Sequence, residues 1–251
     1  AMKRLLVCLL LVGVVGCGEK ETPQDAKAAL EKLGASVMED PDGRVRVLFM
    51  FNTKITDAGL VHLHELPKLD GLYLIDTPIT DAGVGHLKGL QELTELKLNS
   101  KGITDAGLVH LKALANLDDL FVAGSGITDT GLAHLKALTN LRRLGVGDSG
   151  ITDVGIVHLR GLVNLDRLYL SGNAVTDACL AHLKGLTKLE YLTLTETEVG
   201  NTGLEHLKGL TNLKMLKLDK TPITDAGLVH LKGLTSLEHL DLGFVAISDA
   251  G

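Results

Sequence analysis

From Val45 onward the chain repeats one arrangement of apolar and polar positions. Each unit reads L-x-x-L-x-L-x-x-T-x-I-T-D-A-G-L-x-H-L-K-G-L. An apolar anchor returns every 24 residues, at Ile55, Ile79, Ile103, Ile127, Ile151, Val175, Val199, Ile223 and Ile247. In the first half of a unit, as at Leu72 and Leu74, apolar residues stand two apart, the spacing at which strand side chains share a face. In the second half, as at Leu108, Leu111 and Leu114, they stand three apart, which is helical spacing. One unit therefore predicts a short strand, a turn and a short helix with its leucines on one side.

A unit of this length cannot bury that apolar side alone, so units must stack, with the strands forming one parallel sheet and the helices the opposite face. The spacing places nine strands, starting near Val45, Leu69, Leu93, Leu117, Leu141, Leu165, Leu189, Leu213 and Leu237. At about 4.8 Å between neighbours the sheet would run roughly 40 Å. The pattern resembles the leucine-rich repeat family over Val45 to Gly251, about four-fifths of the chain. That resemblance implies an α/β solenoid shaped as a horseshoe arc, with parallel strands on the concave face and short helices on the convex one. It also implies binding rather than catalysis. The T-x-ITDAGL form is similar to a short repeat common in bacterial proteins. The slot that carries a buried asparagine in other repeats here holds Thr53, Thr77, Lys101, Ser125, Ser149, Asn173, Thr197, Thr221 and Val245, so no continuous asparagine ladder is expected. The array spans residues 45–251 as eight full repeats and a truncated ninth. The chain stops at "ISDAG", before the ninth helix, and the expectation is a longer native protein.

The recurring ITDAGL phrase reads first as a folding instruction. Ile enters the core, and Thr or Asp can cap the exposed amides at the helix start. The carboxylates of Asp57, Asp81, Asp105, Asp129, Asp153, Asp177 and Asp225 favour the positive end of the helix dipole. Lys88, Lys112, Lys136, Arg160, Lys184, Lys208 and Lys232 sit at the other end, where cations are favoured.

Before the array, residues 1–16 carry Lys3 and Arg4 and then an apolar run from Leu5 to Val15, too short to span a bilayer and suited to a secretory signal. Ala1 before Met2 reads as a leftover of cloning or translation. Val14-Val15-Gly16-Cys17 resembles the bacterial lipobox, which implies lipidation at Cys17, a tether over residues 17–22 and a membrane-anchored lipoprotein of the cell envelope. Residues 23–44 read as an N-terminal cap. Thr22 stands at a helix start with Pro23 at its first position, and "EDPDGR" is a turn between two short strands. The turn lacks the spacing and distal Glu of a calcium loop.

The net charge is −6, and −8 without Lys3 and Arg4, which gives no electrostatic footprint for a nucleic acid. The three cysteines form no metal or disulfide pattern. Histidine recurs at His62, His86, His110, His134, His158, His182, His206 and His230. Helical geometry turns these rings away from the leucine side, outward or against the next helix, with no carboxylate at ligand spacing, so no metal is expected. Cys179 stands in a slot otherwise filled mainly by glycine. Although His182 lies one turn on, periodicity already accounts for that histidine, so a nucleophile pair is not expected. No hydrolase, metalloprotease, phosphate-loop or dinucleotide motif is present.

These exclusions leave binding, with no cofactor, and a monomer is expected. Residues between the buried strand leucines face the concave side. Of the seven aromatic residues, six fall there: Phe49, Phe51, Tyr73, Phe121, Tyr169 and Tyr191, with Phe244 just outside. Together with Glu95, Lys97, Asp119, Arg143, Arg167, Lys217 and Asp241 they mix aromatics with both charge signs, which suits a protein or peptide partner. Of these, Tyr73, Glu95, Lys97, Asp119, Phe121, Arg143, Arg167, Tyr169, Tyr191 and Lys217 are the candidate binding residues. The alternatives are a recognition part joined to a catalytic region beyond residue 251, and a structural envelope spacer with a featureless concave face.

Overall fold

The computed structural model describes residues 21–124 and 126–248. Residues 1–20, where the expected signal segment and Cys17 fall, Ser125 and residues 249–251 lie outside them. Ten strands form one sheet in chain order: β1 (Ser36–Glu39), β2 (Val45–Phe51), β3 (Gly71–Ile75), β4 (Glu95–Asn99), β5 (Asp119–Ala123), β6 (Arg143–Gly145), β7 (Arg167–Tyr169), β8 (Tyr191–Thr193), β9 (Met215–Lys217) and β10 (His239–Asp241). Pairing from β2 to β10 is parallel throughout, and β1 alone runs antiparallel, against β2. The result is an open leucine-rich repeat solenoid.

On the opposite face lie α2 to α8: Asp81–Val84, Asp105–Leu111, Asp129–Leu135, Asp153–Ile156, Asp177–Leu183, Asn201–Leu204 and Asp225–Leu228. Four of them, the shorter ones, tighten into 3₁₀ turns within the leucine stretch, and the first repeat is a 3₁₀ helix throughout, Asp57–Glu65. Before the array, α1 (Pro23–Lys32) begins with a capping box in which Thr22 and Asp25 satisfy each other's backbone amides. The turn between β1 and β2 closes through Asp40 N donating to Arg44 O, 2.9 Å.

From β3 onward each strand begins two residues later than the leucine spacing predicts. The reason is local. The amide of the first leucine donates to the residue three before it, as Leu69 does to Leu66 (3.2 Å) and Leu93 to Leu90 (3.1 Å), so it closes a turn instead of joining the ladder. The leucine side chains still enter the core, and Leu69, Leu93, Leu117 and Leu141 are fully buried. So are the Ile and Val anchors from Ile55 to Ile223.

The ITDAGL phrase has a second role that the sequence pattern did not reveal. Thr80, Thr104, Thr128, Thr152 and Thr176 cap their own helices, each accepting from the amide two residues on. The aspartates do not cap. Each reaches the next repeat: Asp57 accepts from Thr80 N (2.8 Å) and Oγ1 (2.5 Å), Asp105 from Thr128 N (2.8 Å) and Oγ1 (2.6 Å), and the series continues to Asp225 on Ser248. The glycine of the phrase leaves room for this carboxylate, since a Cβ on Gly83 would stand 2.3 Å from Asp57 Oδ1. Two steps depart from the pattern. Where Gly200 replaces the threonine, Thr202 takes the Asp177 carboxylate and α7 has no side-chain cap. In the same repeat Asn201 stands in the aspartate position, accepting from Thr224 N and donating to Thr224 Oγ1 (both 2.9 Å), and α8 has no side-chain cap.

In the asparagine slot, Asn173 is buried and donates to Val146 O (2.8 Å) and Leu170 O (2.9 Å). Thr197 and Thr221 there serve their own turns, Thr197 Oγ1 donating to Leu194 O at 2.7 Å, whereas the buried hydroxyls of Thr53 and Thr77 have no hydrogen-bond partner among the described residues.

Candidate concave binding face

Strand register gathers the candidate residues into two parallel rows on the outward side of the sheet. The first row runs Val47, Gly71, Glu95, Asp119, Arg143, Arg167, Tyr191 and Met215. The second runs Phe49, Tyr73, Lys97, Phe121, Gly145, Tyr169, Thr193 and Lys217. All ten candidate residues therefore share one face, because parallel pairing with a fixed repeat length brings equivalent positions side by side.

Three neighbourhoods follow along this face. Near the amino end, Phe49 stacks on Tyr73 with centroids 4.7 Å apart, and Phe51 closes the group at 5.9 Å from Phe49 and 6.3 Å from Tyr73. Burial, then a hydrogen bond to Glu95, raises the pKa of the Tyr73 hydroxyl well above its usual range.

Next comes an ionic cluster. Asp119 was expected to be exposed, and it is instead 3% accessible. Lys97 Nζ donates to it, and Arg143 Nε lies 2.9 Å from its Oδ2. A carboxylate held out of water persists only when paired, and these two cations supply the pairing. Lys97 also approaches Glu95 (3.8 Å) and lies over the Phe121 ring, 4.8 Å from its centroid.

Beyond it lies an open hollow of about 610 Å³ lined by Phe121, Tyr169, Tyr191, Met215, Arg167 and Lys217, among others. Phe121 and Tyr169 sit two strands apart, yet their rings are 5.2 Å apart. Gly145 explains the reach. It occupies the row position between them, and a Cβ there would fall 2.3 Å from Phe121 Cζ, so the ring reclines across β6. Arg167 lies 4.2 Å over the Tyr191 ring. Lys217 has no ion-pair partner among the described residues.

Sequence reasoning missed Gly145 and Met215. The signal for Gly145 was present as a gap in the second row, where Phe121 and Tyr169 flank it at the repeat spacing. Met215 stands in the first row beside Tyr191 and was passed over because it is neither aromatic nor charged.

The residues set aside on chemical grounds are placed as follows. The repeated histidines of the convex side are half-buried between neighbouring repeats. Burial first, then Lys88, lowers the pKa of His110; burial, then Arg160, lowers that of His182. Among the described residues no group of three or more His, Cys, Asp or Glu is arranged to hold a metal ion. Cys179 is fully buried, and burial followed by Asp153 and Asp177 raises its thiol pKa, the reverse of what a nucleophile needs. No helix among the described residues is long and apolar enough to cross a membrane.

A family profile described as leucine rich repeat matches residues 139–199. Among curated protein sequences no match was found. Internalin C2 of Listeria monocytogenes, solved by crystallography, is similar at 27% identity and a TM-score of 0.67, covering 90% of this chain and 93% of that one. An internalin (inlF) of the same organism aligns at 18% identity over 90% of each chain, with a TM-score of 0.45. The ectodomain of the Arabidopsis thaliana receptor kinase GASSHO1/SCHENGEN3, solved in complex with CASPARIAN STRIP INTEGRITY FACTOR 2, is similar in fold at 22% identity and a TM-score of 0.59. That alignment covers 84% of this chain and 26% of the ectodomain. The profile match and the likeness to internalin C2 show a leucine-rich repeat fold.

Proposed function

We propose that this chain is a non-enzymatic recognition module that binds a protein or peptide partner on its concave sheet, displayed at the bacterial cell envelope through a lipid on Cys17. The observation that carries the binding reading is the pair of rows on the sheet face, where Phe51, Tyr73, Phe121, Tyr169 and Tyr191 stand at least partly open to solvent with cations between them. Aromatic rings and Arg supply much of the energy of protein interfaces, and open aromatic surface has a cost in water that a partner removes. The envelope part rests on the charged and apolar start of the chain and on the lipobox resemblance at Val14 to Cys17. An acyl chain anchors through burial of many methylenes at about 0.8 kcal/mol each.

Crosslinking from the cell envelope with wild type and a Tyr73/Phe121/Tyr169 triple alanine variant tests the binding reading. The partner should be lost from the variant while its circular dichroism stays unchanged. Equal capture by both would move the site off this face. In the same cells, Cys17→Ser should release the protein from the membrane fraction.

A further inference from the structure

Resting on the concave-face reading, we infer that the hollow between β5 and β9 is an anchor site for an acidic-hydrophobic peptide, one in which a large apolar side chain stands within a residue or two of a carboxylate. The two aromatic regions of the face differ in their charges. Around Tyr73 the nearby cation, Lys97, is consumed by Asp119 and Glu95. Around Tyr169 the charge is not consumed. Besides lying over the Tyr191 ring, Arg167 forms one ion pair among the described residues, with Asp166 at 3.8 Å, and that carboxylate is already held by Arg142 at 2.7 Å. Lys217 pairs with nothing among the described residues. The carboxylates nearby do not alter this: Asp148 lines the rim, Asp219 accepts from Thr195 Oγ1 at 2.7 Å, and Asp241, in register beside Lys217, accepts from Gly243 N at 3.2 Å and forms no ion pair among the described residues.

The floor is apolar where Phe121 reclines over Gly145 toward Tyr169, and Met215 extends it. An open volume of about 610 Å³ takes one large side chain with its flanking backbone. Arg167 and Lys217 stand two strands apart, roughly 10 Å, and an extended peptide advances about 3.3 Å per residue. A carboxylate close in sequence to the apolar anchor can therefore reach a cation without leaving the hollow. A long polyanion fits worse, because Glu95, Asp119, Asp219 and Asp241 share the face and the chain as a whole is at −6.

The test is selection of an unbiased displayed peptide library on the full chain, followed by anisotropy titration of the enriched peptides as labelled probes. Enriched sequences should carry Phe, Tyr, Leu or Met beside Asp or Glu. Lys217→Glu should weaken them by about tenfold or more, Lys217→Arg should retain them, and raised salt should weaken wild type but not Lys217→Glu. Unchanged thermal unfolding of each variant excludes misfolding. Enriched peptides that lack a carboxylate yet are lost on Phe121→Ala or Tyr169→Ala would overturn the acidic assignment and leave the concave reading standing. Binding indifferent to Phe121→Ala, Tyr169→Ala and Lys217→Glu would remove both. No enrichment over a blank surface would also overturn the acidic assignment.

Discussion

The first and last repeats among the described residues share one pattern and bury it very differently. At the amino end the strand leucine Leu48 is completely buried, with Val37 of β1 beside it in the sheet and Ala26 and Leu30 of α1 buried in the same core. At the other end Leu240, in the equivalent strand position, is 39% exposed, although its partner Leu216 on β9 is at 0%. Leu228, Leu237 and Leu242 are only half-buried, and Phe244 is 89% exposed. A repeat is thus not a self-sufficient folding unit. Its leucines are removed from water by the next repeat, so stability depends on position in the stack rather than on the local sequence.

The sharpest way to break that comparison is to make one substitution at two positions. Leu144→Ala, in the fully covered middle, should cost about 2 to 5 kcal/mol through lost burial and a cavity. Leu240→Ala should cost under about 1 kcal/mol, since much of its surface already faces water. Urea titration with native-state amide exchange as a local probe checks both, and equal costs would contradict the positional account.

A smaller effect is expected from the carboxylates that join one repeat to the next. Asp105→Ala removes the acceptor for both Thr128 N and Thr128 Oγ1 and should cost about 1 to 3 kcal/mol. Asp225→Ala, which serves Ser248 at the open end, should cost less. Similar losses at the two sites, measured by the same titration, would mean that position in the stack does not decide what these bonds contribute.

The smallest effect is a pH dependence from the convex side. His110 and His182 have pKa values lowered from 6.5, by burial first and then by the cation of the preceding repeat, Lys88 or Arg160. The unfolded chain therefore takes up these protons before the folded one does. Stability should fall as pH drops through about 6.5 and level off once the folded histidines also protonate. His110→Gln with His182→Gln should flatten the change in urea midpoint between about pH 7.5 and about pH 5.5. An undiminished slope in that double variant would assign the dependence to other groups.

Much of the architecture was legible because the repeat has no interruptions. The anchors from Ile55 to Ile223 are buried as their spacing requires, and the strands follow in parallel order. Strand starts were displaced because Leu69 and its equivalents close a turn, a hydrogen-bond choice that apolar spacing does not encode. The concave residues were legible as a set, since alternation along a strand decides which side they face. Their individual states were not. Asp119 looked like one more surface charge until Lys97 and Arg143 closed over it from the neighbouring strands.

By itself, then, the sequence determined the period, the side on which each leucine and aromatic falls, and the need for stacking. Those are properties of a few consecutive residues and their dihedral angles. The tertiary structure alone decided what happens across 22 to 24 residues: Asp57 holding Thr80, Phe121 lying over Gly145, and Lys217 left without an ion-pair partner among the described residues beside Tyr169 and Tyr191. The physical reason is that these depend on the separation and rotation of adjacent repeats, which bring together atoms far apart along the chain and are set by how whole layers of side chains pack.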